Sequence, residues 1–204
     1  MRLFGVVMLG AAAATLTACG DVKEPNEKNF TAALQKFHDE NGACLPFGPV
    51  PAEVQRSAFN IGSQSFKRYV QAGLADLDTQ VRDENGRRVT VDVYTPSDKS
   101  KPYLKTLTER NGVEGQQICF GKVEVTEIDN WTEPSDTAGV MAARVTYKLK
   151  VTKEAPWTDD PAIAPLVRSA MARTTRGGGF DQEVKREDLL ILTNKGWEME
   201  RRRF

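Results

Sequence analysis

From Met141 to Val151 the chain alternates strictly in polarity. Met141, Ala143, Val145, Tyr147, Leu149 and Val151 fall on one parity, and Arg144, Thr146, Lys148 and Lys150 fall on the other. A period of two is the mark of a half-buried strand. One apolar and one wet face place that strand in an antiparallel sheet with a single side on the core. No isolated strand buries such a face, so the segment demands partners elsewhere in the chain.

The partners are legible nearby. Gln117–Phe120 and Lys122–Trp131 read as one long strand, bulged at Gly121, where the apolar parity changes from Ile118 and Phe120 to Val123 and Val125. Val184 to Thr193 and Trp197 to Arg203 read as a hairpin turning at Asn194-Lys195-Gly196. Between these lies a helix carrying Ile163, Leu166, Val167 and Ala170. Asp159 and Asp160 precede it, and Pro165 suits its first turn. Arg173 to Gly179 reads as turn-like.

The first half is more helical. Phe30, Ala33, Leu34 and Phe37 are spaced for a helix from Phe30 to about Glu40, ended by Asn41-Gly42. His38, near its end, reads as a solvated residue favoured by the helix dipole. Pro46, Pro49 and Pro51 make a stiff loop, followed by an expected helical turn over Ala52–Arg56. A second helix spans Ser65 to Ala72 and stops at Gly73. Leu77, Thr79 and Val81, the turn Asn85-Gly86, then Val89, Val91 and Val93 form a β-hairpin.

The expected fold class is therefore α+β, with N-terminal helices and a β-hairpin over 30–110. A mainly antiparallel sheet with one further helix follows over 111–204. The order helix, helix, Ala72-Gly73-Leu74, hairpin resembles the winged-helix pattern of bacterial regulators. In that family the second helix reads DNA. This chain is balanced at 28 basic and 28 acidic residues, without the basic excess of a nucleic-acid binder. The charge balance argues against a nucleic-acid partner, and the resemblance then implies a reused scaffold alone.

Residues 1–18 differ from all the rest. Arg2 is their only charge, and Leu3 to Leu16 is almost unbroken apolar sequence, shorter than the ~20 residues that span a bilayer as a helix. A positive start, an apolar centre and small residues at its end describe a secretory signal peptide. Leu16-Thr17-Ala18-Cys19 resembles the bacterial lipobox, at which lipoprotein signal peptides are cut before the cysteine. The resemblance implies that Cys19 carries lipid and becomes the acylated N-terminus. It also implies an envelope location facing the periplasm. Gly20 follows the cysteine, and the Asp associated with inner-membrane retention comes one place later, at Asp21, which favours the outer membrane. Cleavage removes Arg2 and leaves 27 basic against 28 acidic residues, a net charge of −1. The expected organisation is a signal peptide over 1–18, a tether over 19–29 and one α+β domain over 30–204. A tether of about ten residues reaches at most ~35 Å.

In the oxidising compartment so implied, the two remaining cysteines, Cys44 and Cys119, have a disulfide as their default reading, with buried free thiols as the alternative. Catalytic residue types are sparse. The chain has one His and three Cys, which leaves little for a metal site and makes His38 the sole base for a triad. Acids at Glu124, Glu127, Asp129, Glu133, Asp159 and Asp160 offer carboxylate pairs of the kind that hydrolyse glycosides, but strand-end and helix-start acids ordinarily face solvent or cap helices. Gly177-Gly178-Gly179 lacks the Lys-Ser/Thr of a phosphate loop.

Two groups remain as candidate binding residues. Trp131 and Trp157 sit beside turns at strand ends, and Tyr147 belongs to the strand core. Arg168, Arg173 and Arg176, with Arg201-Arg202-Arg203, form a basic set suited to anionic lipid or polymer. The expectation is non-catalytic protein binding by a membrane-anchored lipoprotein of accessory, inhibitor or immunity type, without cofactor or metal. Its partner would be another envelope protein. The alternatives are a carboxylate-dependent envelope hydrolase and a binder of anionic lipid or polymer.

Overall fold

At Phe120 the chain leaves one sheet and enters another. The computed structural model describes residues 21–56, 63–108, 114–137 and 139–200. In chain order these form α1 (Glu27–Asn41), β1 (Cys44–Gly48), β2 (Ala52–Gln55), α2 (Ser63–Gln71), β3 (Ala75–Glu84) and β4 (Arg87–Pro96). Then follow β5 (Leu104–Thr108), β6 (Glu114–Cys119), β7 (Gly121–Trp131), β8 (Ser135–Thr137) and β9 (Val140–Lys153). The last elements are α3 (Ala164–Thr175), β10 (Val184–Thr193) and β11 (Gly196–Met199). The class is mixed α+β, with antiparallel sheets that include a curled half-barrel.

Three sheets organise the described residues. The largest runs β11-β10-β9-β7, with β8 extending it along β9. The others are β1-β6-β5 and β2-β4-β3. The strand read from the polarity alternation is β9. Ala143, Val145, Tyr147, Leu149 and Val151 are buried to within 1% of fully, and β9 pairs with β7 on one side and β10 on the other. Helix α1 lies across this sheet, contacting β7 and β11. Phe30, Ala33, Leu34 and His38 form its buried stripe. The Gln35 amide also clamps the free edge of β7, donating to the Val123 carbonyl and accepting from the Val125 amide, each at 2.9 Å. A side chain thus occupies backbone groups that would otherwise invite another strand.

The expected bulge at Gly121 is a sheet switch instead. Cys119 ends β6 in one sheet and Gly121 begins β7 in another. Gly121 packs so closely on β9 that a Cβ there would collide with the Thr152 carbonyl oxygen. The register shifts lie further on, between Val125 and Glu127 and between Ile128 and Asn130. The expected helical turn at Ala52–Arg56 is strand β2, which pairs along Tyr94 to Val91 of β4. The cause is non-local: β4 has a free edge there, and the Ala-Glu-Val-Gln alternation fits it. The turn-like stretch expected from Arg173 begins later, because α3 continues to Thr175 and ends on a left-handed Arg176.

The Asn85-Gly86 hairpin is present, with both residues at positive φ. Its faces differ from a simple reading, since Leu77 opposes Tyr94 and Thr79 opposes Asp92. Val91 and Val93 lie on the other face, beside Glu53 and Gln80, where Arg82 makes a two-point ion pair with Glu53. Phe47, Phe66, Tyr69 and Tyr94 pack their rings together, joining α2 to β1 and β4. Helix α2 packs on β3 while α1 serves the large sheet. The helix–helix–hairpin order is thus spread over different layers.

Cys44 and Cys119 are opposite each other in the β1–β6 pair and form a disulfide. The segment before α1 is fastened from Asp21 onward. Trp197 Nε1 donates to the Lys23 and Glu24 carbonyls at 3.1 and 3.2 Å, and Asn26 caps α1 by accepting from the Asn29 amide. Among the described residues, no helix is long and apolar enough to cross a membrane.

Candidate functional site

The C-terminal ends of α1 and α3 converge on a cleft of about 280 Å³ between β1, β6 and β11. Phe37, Pro46, Met199 and the Cys44 disulfide supply its apolar wall, and Asn41, Gln117, Arg173 and Arg186 its polar wall. A second groove of about 180 Å³ runs along α1 against Trp197 and Met199, sharing Phe37 and Met199 with the first.

A buried polar chain lies at the floor. His38 Nε2 is 3.0 Å from the Tyr147 hydroxyl, which donates to Asp188 Oδ2 at 2.8 Å. Because the phenol has one proton and gives it to the carboxylate, His38 donates Nε2–H to the phenol oxygen. Asp188 also faces Arg186 Nη2 at 3.4 Å. The Arg186 guanidinium donates to the Thr174 and Arg173 carbonyls at the end of α3, where a cation suits the helix dipole. The chain therefore ties α1, β9, β10 and α3 together across the cleft floor.

Burial is the main force on the protonation states. It lowers the His38 pKa to about 4, helped by the Arg186 charge. Burial, followed by the Asp188 charge, pushes the Tyr147 phenol up. Near neutral pH His38 is an uncharged donor and Tyr147 an intact phenol. The expectation of a solvated His38 is overturned: the residue is 6% exposed. The physical reason is its spacing, four residues after Leu34 and eight after Phe30, which places it on the buried stripe of α1.

The sequence candidates are scattered. Arg173 reaches the cleft rim, whereas Arg168 and Arg176 are exposed elsewhere on α3. Cys44 lines the cleft with Cys119 bonded behind it. Trp131 is 40% exposed and stacks edge-on against Phe30. Trp157 is no rim residue: it is 3% exposed, against Tyr103, because the short 3₁₀ turn Pro156–Asp159 folds it inward. Cys19 and Arg201–Arg203 lie outside the described residues. The acids considered as catalytic pairs are mostly engaged. Glu124 pairs with Lys150, Glu127 with Lys148, Asp129 with Lys185 and Asp159 with Lys153, while Asp160 accepts from the Ala162 amide.

The periodicity of β9 does not reveal the Tyr147–Asp188–Arg186 chain, but β10 carries a signal of it. On β10 the inward parity runs Val184, Arg186, Asp188, Leu190 and Leu192, so two charges interrupt an apolar face. Adjacent opposite charges on a buried parity mark a paired buried network.

Among the described residues no cluster of His, Cys, Asp and Glu is suited to hold a metal. No family model, no curated protein and no solved structure matches this chain.

Proposed function

We propose that the chain is a lipoprotein held in the bacterial envelope through Cys19, facing the periplasm, with the outer membrane as the favoured site. Its α+β body binds another envelope protein without catalysis, as an accessory, inhibitor or immunity-type factor. The observation that carries this reading is the cleft between the ends of α1 and α3, where an apolar wall of Phe37, Pro46 and Met199 faces Arg173 and Arg186. Such a surface suits an apolar side chain flanked by a carboxylate. The polar chain beneath it supports binding over chemistry. At neutral pH His38 is uncharged and commits Nε2 to Tyr147, and Asp188 is held by Tyr147 and Arg186. These groups fix the shape of the floor. The winged-helix likeness of 30–110 enters this reading only as an order of elements.

Photo-crosslinking residues placed at Phe37, Gln117 and Arg173 in the membrane-bound protein test the reading. One envelope protein should be captured from all three positions and not from Arg88 at the hairpin tip. Capture at the hairpin alone, or none at the cleft, contradicts it.

One observation favours a second reading. Arg173 at the rim and Arg186 on the floor would also hold an anionic polymer or headgroup. That reading requires binding that weakens with salt and is lost in Arg173→Ala.

A further inference from the structure

We infer that the end of the large sheet where β10 turns into β11 is a membrane-seating surface, which fixes the body upright with its cleft turned away from the bilayer. The inference rests on the lipidation of Cys19 proposed above.

The chain between the anchor and the body is short. Only Gly20 separates Cys19 from Asp21, the first described residue, and two residues of extended chain span at most ~7 Å. From Asp21 the chain does not wander. Asn29 Nδ2 donates to the Asp21 and Glu24 carbonyls at 2.9 Å, Trp197 holds the Lys23 and Glu24 carbonyls, and Val22 lies over Gly196 at the β10–β11 turn. An acyl anchor on Cys19 therefore brings this end of the body to the headgroups.

That end also exposes apolar side chains. Val22 is 55% exposed, Trp131 40%, Val140 40% and Met141 39%. They converge on one end. Met141 lies next to Ala142, which opposes Ile191 at the end of β10. Trp131 opposes Val145 on the same strand as Met141 and packs on Phe30, whose other side meets Trp197. A tryptophan among aliphatic side chains is the composition favoured at the bilayer interface. The neighbouring charges are mixed, with Lys23 and Lys195 beside Asp21, Glu24 and Asp136, so apolar contact rather than charge seats the body.

The consequence concerns the cleft. Helix α1 starts at the anchored end and finishes at the cleft. Fifteen residues of helix span about 22 Å, which sets the cleft outward, open to proteins or polymers, and rules out the headgroup form of the second reading.

The test uses the lipidated full-length protein in phosphatidylethanolamine/phosphatidylglycerol vesicles carrying a nitroxide near the headgroup. Mass spectrometry of the same sample establishes whether Cys19 is acylated. Seating predicts that the nitroxide lipid quenches tryptophan emission, that Trp131→Phe removes the quenched component, and that Val140→Asp with Met141→Asp diminishes it. Trp157, buried against Tyr103 beyond the Lys153 end of β9, serves as the internal control. Acylated protein whose Trp131 is reached by aqueous iodide and not by the nitroxide overturns the seating and leaves the anchor standing. Protein without acyl chains that fails to float with vesicles overturns the anchor and the seating together.

Discussion

Tyr147 on β9 donates its hydroxyl proton to Asp188 Oδ2 on β10, 2.8 Å away, and its own phenol oxygen lies 3.0 Å from His38 Nε2 of α1. Tyr147 is fully buried. One phenol therefore joins a helix to two strands in the middle of the core, where an unmet polar group costs most.

Removing that hydroxyl should be felt throughout. Tyr147→Phe leaves His38 Nε2–H without its acceptor and Asp188 with Arg186 alone. The expected loss is about 1–3 kcal/mol, read as a lower urea midpoint at pH 7 with an unchanged slope. A midpoint equal to that of the parent protein would show that the chain of bonds is not structural.

The His38 pKa makes stability depend on pH. Burial lowers it from 6.5 to about 4, so between those values the unfolded chain binds a proton that the folded chain refuses. Stability then rises with pH across this window and falls as pH drops from about 6.5 towards 4. A shift of this size corresponds to about 3 kcal/mol at most. His38→Gln should flatten the difference between urea unfolding at pH 7 and at pH 4.5. Equal pH dependence in both proteins would contradict the assignment.

The disulfide closes a loop spanning 75 residues, for which the chain-entropy model gives about 4 kcal/mol. The Cys44→Ser, Cys119→Ser protein should unfold at a lower denaturant concentration, and non-reducing peptide mapping of the parent should find the two cysteines joined. Because Cys44 lines the cleft, the double variant should also lose crosslinking from Gln117.

Gly121 is the point where the chain passes between sheets. A Cβ there meets the Thr152 carbonyl and the Val151 side chain, so Gly121→Ala requires β7 to shift from β9. The expected cost is about 1–3 kcal/mol. Gly86→Ala at the exposed hairpin tip, with open space around it, should cost only the strain of its positive φ. Thermal unfolding of the two variants distinguishes packing from backbone freedom, and a Gly121 variant as stable as the parent would remove close approach as the reason for glycine.

What was legible in the sequence was whatever repeats locally. Strand β9 announces itself through unbroken alternation, and the β3–β4 hairpin through two turn residues whose positive φ only a few side chains accept. What was hidden depends on distant partners. Strand β2 has four residues after Pro51, too few for a period, and exists because β4 offers an edge. Phe120 and Gly121 read as one strand because nothing local says that their neighbours lie in different sheets. His38 and Tyr147 are 109 residues apart, and only packing brings them together. The cleft shares that origin, being made where the ends of two helices meet.

The proposed envelope location depends first on lipidation at Leu16-Thr17-Ala18-Cys19. Mass spectrometry of the protein extracted from membranes tests it directly. The mature chain should begin at Cys19, carry a thioether-linked diacylglycerol and an amide-linked acyl chain, and lose both in Cys19→Ala. A mature protein with an unmodified Cys19, or one that begins at another residue, would contradict it.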